Sequence, residues 1–146
     1  MLGPSMNRGR FDPSAVTLAS GKWLVAGGSD WAGGGRTSEV YDAGSWTLSG
    51  SFQHLRDGPG IALLSDGRVL ASGGFENCVY SCEPIQDTAE LYDERAGHWE
   101  WAPGTMATRR SWGHILVALP DGTALVAGGY AGSGLYLASA EILCPP

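Results

Sequence analysis

One short phrase, an apolar run that ends in a glycine pair, occurs three times in this chain. It reads Val25-Ala26-Gly27-Gly28, then Leu70-Ala71-Ser72-Gly73-Gly74, then Val126-Ala127-Gly128-Gly129. The pairs stand 46 and then 55 residues apart, a spacing that belongs to tandem structural units rather than to composition. A buried run that stops at glycine marks a place where the backbone turns sharply or passes close to something else. The chain is therefore built by using one unit repeatedly.

Aligned on the glycine pairs, four more features fall into register. Each unit opens with a small hydroxyl residue, a bulky apolar residue and, four positions on, an arginine: Ser5-Met6 with Arg10, Ser51-Phe52 with Arg56, Thr105-Met106 with Arg110. A strand-like run follows at Ala15–Leu18, Ile61–Leu64 and Ile115–Leu119. A tight turn comes next, Ser20-Gly21, Asp66-Gly67 or Asp121-Gly122, and Asp-Gly between apolar runs is a strong hairpin signal. The glycine-pair strand occupies Trp23–Ala26, Val69–Ser72 and Leu125–Ala127. A third strand carries Glu39, Glu90 and Glu141, spaced 51 residues apart each time. Glu-x-Tyr-Asp closes it in the first two units, and Leu143-Cys144 replaces Tyr-Asp in the last. A fourth strand carries Trp46 (Ser45–Leu48) and Trp99 (His98–Trp101) in the first two units; the third unit ends at Pro146 without one.

Four short strands per unit of roughly 50 residues, joined as a meander, describe a β-propeller blade. The predicted class is all-β. Blade 1 covers residues 7–50, blade 2 residues 51–104 and an incomplete blade 3 residues 105–146. The first two strands of each blade read as buried on both faces, and the third and fourth as half-exposed. The glycine pair, the Glu-x-Tyr-Asp strand and the following tryptophan resemble the kelch motif, and the repeats look like those of kelch-type propellers and the galactose-oxidase-like superfamily. That resemblance implies a propeller whose members mostly bind proteins, with some enzymes among them. Propellers have 4–8 blades, so the chain is expected to be either an excerpt of a longer propeller or a unit that assembles with a second copy.

Composition limits the partners. Charged residues make up 16% of the chain and the formal net charge is −6, which argues against binding a phosphate backbone. No apolar run approaches the length of a membrane span, and residues 1–8 lack the apolar core of a signal peptide. Cys78 and Cys82 are close enough to form a disulfide within one loop; free thiols are the other reading, and the compartment stays open.

In such a meander the loops after the glycine pairs (29–37, 75–87 and 130–138) share a face with the links between units. That face collects Arg8, Arg10, Arg36, Arg56, Arg109 and Arg110 together with Trp31, Phe75, Tyr80, Trp112, Tyr130 and Tyr136. Arginine among aromatic rings is the composition of interaction hot spots. The candidate partner-binding residues are therefore Arg8, Trp31, Arg36, Phe75, Tyr80, Arg109, Trp112, Tyr130 and Tyr136, with an acidic peptide as the guessed ligand. Repetition gives Arg10, Arg56 and Arg110, with Glu39, Glu90 and Glu141, a competing reading as structural ion pairs. The glycine pairs (Gly27, Gly28, Gly73, Gly74, Gly128, Gly129) and Trp46 and Trp99 are expected to be scaffold.

No hydrolase, zinc-protease or P-loop motif is present. His54, His98 and His114 fall at unrelated positions of the repeat, and the copper ligands of a galactose-oxidase-like enzyme find no match. The sequence expectation is thus a non-catalytic interaction module without metal or cofactor. The alternatives are a carbohydrate-binding or galactose-oxidase-like extracellular segment, or purely structural blades.

Overall fold

The computed structural model describes residues 3–29, 35–76 and 84–145. Its described residues form eleven strands and no helix. β1 (Ser14–Thr17), β2 (Trp23–Ala26), β3 (Thr37–Asp42) and β4 (Ser45–Ser51) make the first sheet, in that order. β5 (Gly60–Leu63), β6 (Val69–Ser72), β7 (Thr88–Asp93) and β8 (His98–Thr105) make the second. β9 (Ile115–Ala118), β10 (Ala124–Ala127) and β11 (Ala140–Leu143) make a third sheet of three strands. Every pairing is antiparallel between sequence neighbours.

The hairpins are set by the turn residues. In the second unit the Gly67 amide donates to the Leu64 carbonyl and the Leu64 amide to the Arg68 carbonyl. Gly67 takes φ +88° there, which glycine adopts at no steric cost. The fourth strands run three to four residues beyond the predicted ends. A register shift at Thr37/Ser38, and another at Thr88/Glu90, lets β4 and β8 reach the first residues of β3 and β7. Such bulges do not show as a break in the hydrophobic pattern.

The second sheet lies between the other two. Leu18, Leu24, Ala26 and Phe52 pack on Val69, Ala71, Tyr92 and Trp99 from one side. Ala62, Leu64, Leu70 and Leu91 meet Leu116, Ala124 and Val126 on the other. β6 is consequently buried at all four residues. The two-sided burial expected of the first and second strands in every unit is corrected in part. β1 and β9 alternate, because each outer sheet has one face uncovered, leaving Trp23, Ile115, Val117 and Ile142 about half exposed.

Candidate functional site

The repeated arginines build the frame of the loop face. Arg56 Nη1 donates to the Gly73 and Thr88 carbonyls, at 2.8 and 3.0 Å, and its Nε to Glu90 Oε1 at 3.0 Å. Arg10 does the same for Gly27, Thr37 and Glu39, and Arg110 for Gly128, Ser139 and Glu141. Each glutamate turns its second set of lone pairs to two backbone amides: Asn7 and Arg8, Gln53 and His54, Ala107 and Thr108. Burial alone would raise the Glu39 carboxyl, but the hydrogen bonds from Asn7, Arg10 and Arg8 outweigh it and hold it below the ordinary range. Arg10, Arg56 and Arg110 have side chains 0–1% exposed. Three of the six arginines assigned to this face are therefore enclosed and spent on the scaffold.

The glycine pairs are where one sheet meets the next. The Gly28 amide donates to the Arg56 carbonyl at 3.0 Å and the Gly74 amide to the Arg110 carbonyl at 2.9 Å. A Cβ on Gly27 or on Gly73 would collide with those same carbonyl oxygens. Only glycine allows that approach.

Two residues beyond each arginine the chain takes a left-handed turn: Asp12 (φ 54°), Gly58 (φ 60°) and Trp112 (φ 31°). Glycine adopts this conformation freely; aspartate tolerates it and tryptophan rarely does. The three positions converge. The space a Gly58 side chain would fill is occupied by the Asp12 carboxylate, and Trp112 Cδ1 lies 3.7 Å from the same point. Partial burial raises the Asp12 carboxyl above its usual value.

Trp112 is 44% exposed. It stacks on Tyr130 with centroids 5.7 Å apart and meets Phe75 edge-on at 4.6 Å. Tyr136, 79% exposed, continues the series 5.5 Å from Tyr130. Arg109 braces this loop through a 3.0 Å bond from Nε to the Ala131 carbonyl.

The structure thus brings Trp112, Tyr130, Tyr136 and Arg109 together. Phe75 is corrected as a contact residue: it is fully buried beneath Trp112, where a ring removed from water gains most. Arg8 and Arg36 are exposed elsewhere on the face. Trp31, Tyr80, Cys78 and Cys82 lie outside the described residues. Trp99 is buried, and half-buried Trp46 packs on Tyr41 at 5.1 Å. Sequence reasoning missed Asp12. Its signal was available in the residue two places after each repeated arginine, where glycine alternates with aspartate and tryptophan.

No family model matches the sequence, and no curated protein matches it. Among solved structures the chain is similar to a fungal alcohol oxidase of the AA5 family determined in complex with copper, with a TM-score of 0.76 and 18% identity over 94% of this chain. The fold is galactose-oxidase-like. The chain spans 31% of that oxidase's length, and at this identity the likeness shows fold alone.

The non-catalytic expectation is corrected by that likeness. It rested on missing hydrolase, zinc-protease and P-loop motifs and on copper ligands that could not be placed, whereas the structural neighbour with this galactose-oxidase-like fold is an enzyme. Copper itself does not fit the described residues. It requires clustered nitrogen, oxygen or sulfur donors, and no group of three His, Cys, Asp or Glu converges among the described residues. His114 Nε2 accepts from the Gly60 amide at 2.9 Å inside the contact between the second and third sheets. His54 Nδ1 sits 3.2 Å from Gln86 Oε1, and His98 is exposed at the start of β8.

Proposed function

We propose that this chain is a segment of a galactose-oxidase-like, kelch-type propeller that takes an alcohol-bearing ligand, a carbohydrate, on the face of its glycine-pair loops. The three sheets stand as blades at about 7–50, 51–104 and 105–146, the last incomplete. The observation that carries the reading is the convergence of Asp12 and Trp112 over the bare backbone of Gly58. Indole and phenol rings stack on the apolar faces of pyranose sugars and bury area at little entropic cost. A neighbouring carboxylate accepts hydrogen bonds from ring hydroxyls, and charge-assisted bonds of that kind are the strong ones. Backbone strain at a non-glycine residue persists only where the surroundings enforce it, and it clusters at functional sites.

The residues take distinct roles. Trp112 and Tyr136 provide the stacking surface, Tyr130 and Phe75 hold Trp112 in place, Asp12 orients hydroxyls, and Gly58, having no side chain, lets the Asp12 carboxylate sit close to Trp112. An acidic peptide is less well served, since half of the arginines that favoured it are enclosed in ion pairs. A glycan array probed with the wild-type chain and with Trp112→Ala tests the proposal. Binding to neutral glycans that disappears in the variant supports it. An array with no glycan signal, or one unchanged by the substitution, overturns it.

A further inference from the structure

Asp12, Gly58 and Trp112 stand at matching places, in the links that lead into β1, β5 and β9, and each takes a left-handed turn. Only Asp12 brings a charge to that position. Its backbone is held from both sides: the Gly58 amide donates to the Asp12 carbonyl at 3.0 Å, and Pro13 follows with a fixed φ. The carboxylate reaches into the space that Gly58 leaves bare, and Trp112 Cδ1 lies within 4 Å of the same point. Acids elsewhere on the molecule have cationic partners. Glu39, Glu90 and Glu141 each meet an arginine, and Asp42 and Glu94 meet Lys22. No ion pair or hydrogen bond reaches the Asp12 carboxylate among the described residues. It gives up water to its surroundings with no counter-charge in return, and its carboxyl is raised above the ordinary value for that reason. A cation brought alongside would restore what burial takes away.

The ring beside that carboxylate suits the same charge. An ammonium within about 6 Å of an indole face is attracted by the ring quadrupole, and tryptophan is the best of the aromatic side chains for it. Trp112 keeps 44% of its surface exposed while Tyr130 stacks on it and Phe75 meets its edge, so the ring is fixed and still open to a ligand. The arginines of this face do not supply the missing charge. Arg10, Arg56 and Arg110 are enclosed in their own ion pairs, and Arg109 directs Nε to the Ala131 carbonyl. The chain carries a net charge of −6, which favours the approach of a cation over that of an anion. We propose, building on the carbohydrate reading of this face, that the sugar it takes is an amino sugar, its protonated amine paired with the Asp12 carboxylate and lying against the Trp112 indole. The same sugar with a hydroxyl or an acetamido group in place of the amine presents the same ring to Trp112 and Tyr136 but no charge to Asp12.

The test titrates glucosamine, N-acetylglucosamine and glucose into the 146-residue chain at about pH 6.5, where an amine of this kind is protonated. Calorimetry and the indole NH signal of Trp112 report binding. Glucosamine is expected to bind about tenfold tighter than either neutral sugar, the size of one partly covered ion pair together with one cation–π contact. That preference should shrink as salt is raised, since an accessible ion pair is screened. Asp12→Asn should bring the three sugars to the same affinity; asparagine accepts the left-handed backbone, and the wild-type comparison decides the matter if the variant does not fold. Ethanolamine has the charge and a hydroxyl but no ring, and it should bind more weakly than glucosamine. Ethanolamine binding as tightly as glucosamine would show a bare ammonium site and overturn the proposal. Equal affinity of the wild-type chain for the three sugars also overturns it, and leaves the carbohydrate reading standing. Binding of none of the three overturns both.

Discussion

At the residue scale, the arginine and glutamate of each unit serve as a clip. Arg56 and Glu90 are both fully buried and lie 3.0 Å apart, with further bonds from Arg56 to the Gly73 and Thr88 carbonyls and the Thr88 hydroxyl, and to Glu90 from the Gln53 and His54 amides. Removing one partner leaves the other charge buried and unmatched, at a cost of roughly 3–5 kcal/mol. Arg56→Ala is therefore expected to lower unfolding free energy by that amount in urea titrations, while Arg95→Ala, on an exposed turn, changes little. His114 gives a pH dependence. Burial is the largest influence on its ring and pushes its pKa below the ordinary value of 6.5. The unfolded chain takes up a proton near 6.5 and the folded chain resists it until lower pH, so stability is complete above 6.5 and declines as pH falls from there. Urea midpoints measured between pH 7.5 and 5 should fall with acidity, and His114→Gln should flatten that slope.

At the scale of elements, the sequence disclosed the strands because their physics is local. Alternation, Asp-Gly turns and the fixed 51-residue spacing of the glutamates place nearly every strand to within a residue or two. The long ends of β4 and β8 were not legible, since bulges depend on where a partner strand runs. Nor was the purpose of the glycine pairs, which lies between sheets. Gly73 faces the Arg110 carbonyl of the next sheet, whereas the nearest atom to a Cβ on Gly128 is 3.8 Å away. Both have positive φ, 63° and 68°, so alanine at Gly128 costs only the backbone strain, about 1–2 kcal/mol. Gly73→Ala adds a steric collision with backbone and should cost at least ~3 kcal/mol. Thermal or urea unfolding of the two variants side by side reads this difference.

At the scale of the whole molecule, three similar sheets hold their loops on one face, and the proposed carbohydrate site draws on positions where the units differ, Asp12, Gly58 and Trp112. Repetition set Arg10, Arg56 and Arg110 apart as ion-pair candidates from Arg8, Arg36 and Arg109, and the first three are enclosed in ion pairs within their own units. The aromatic group was partly visible through Trp112, Tyr130 and Tyr136. Asp12 was not, because an isolated aspartate beside a proline looks like an ordinary turn until Gly58 and Trp112 are found against it. The most direct measurement follows the indole NH signal of Trp112, assigned by Trp112→Phe, while a panel of neutral monosaccharides is titrated into the chain. A saturable shift of that signal, weakened in Asp12→Asn, is the expected result. A panel that leaves the Trp112 signal in place while the chain is folded would contradict a carbohydrate site on this face.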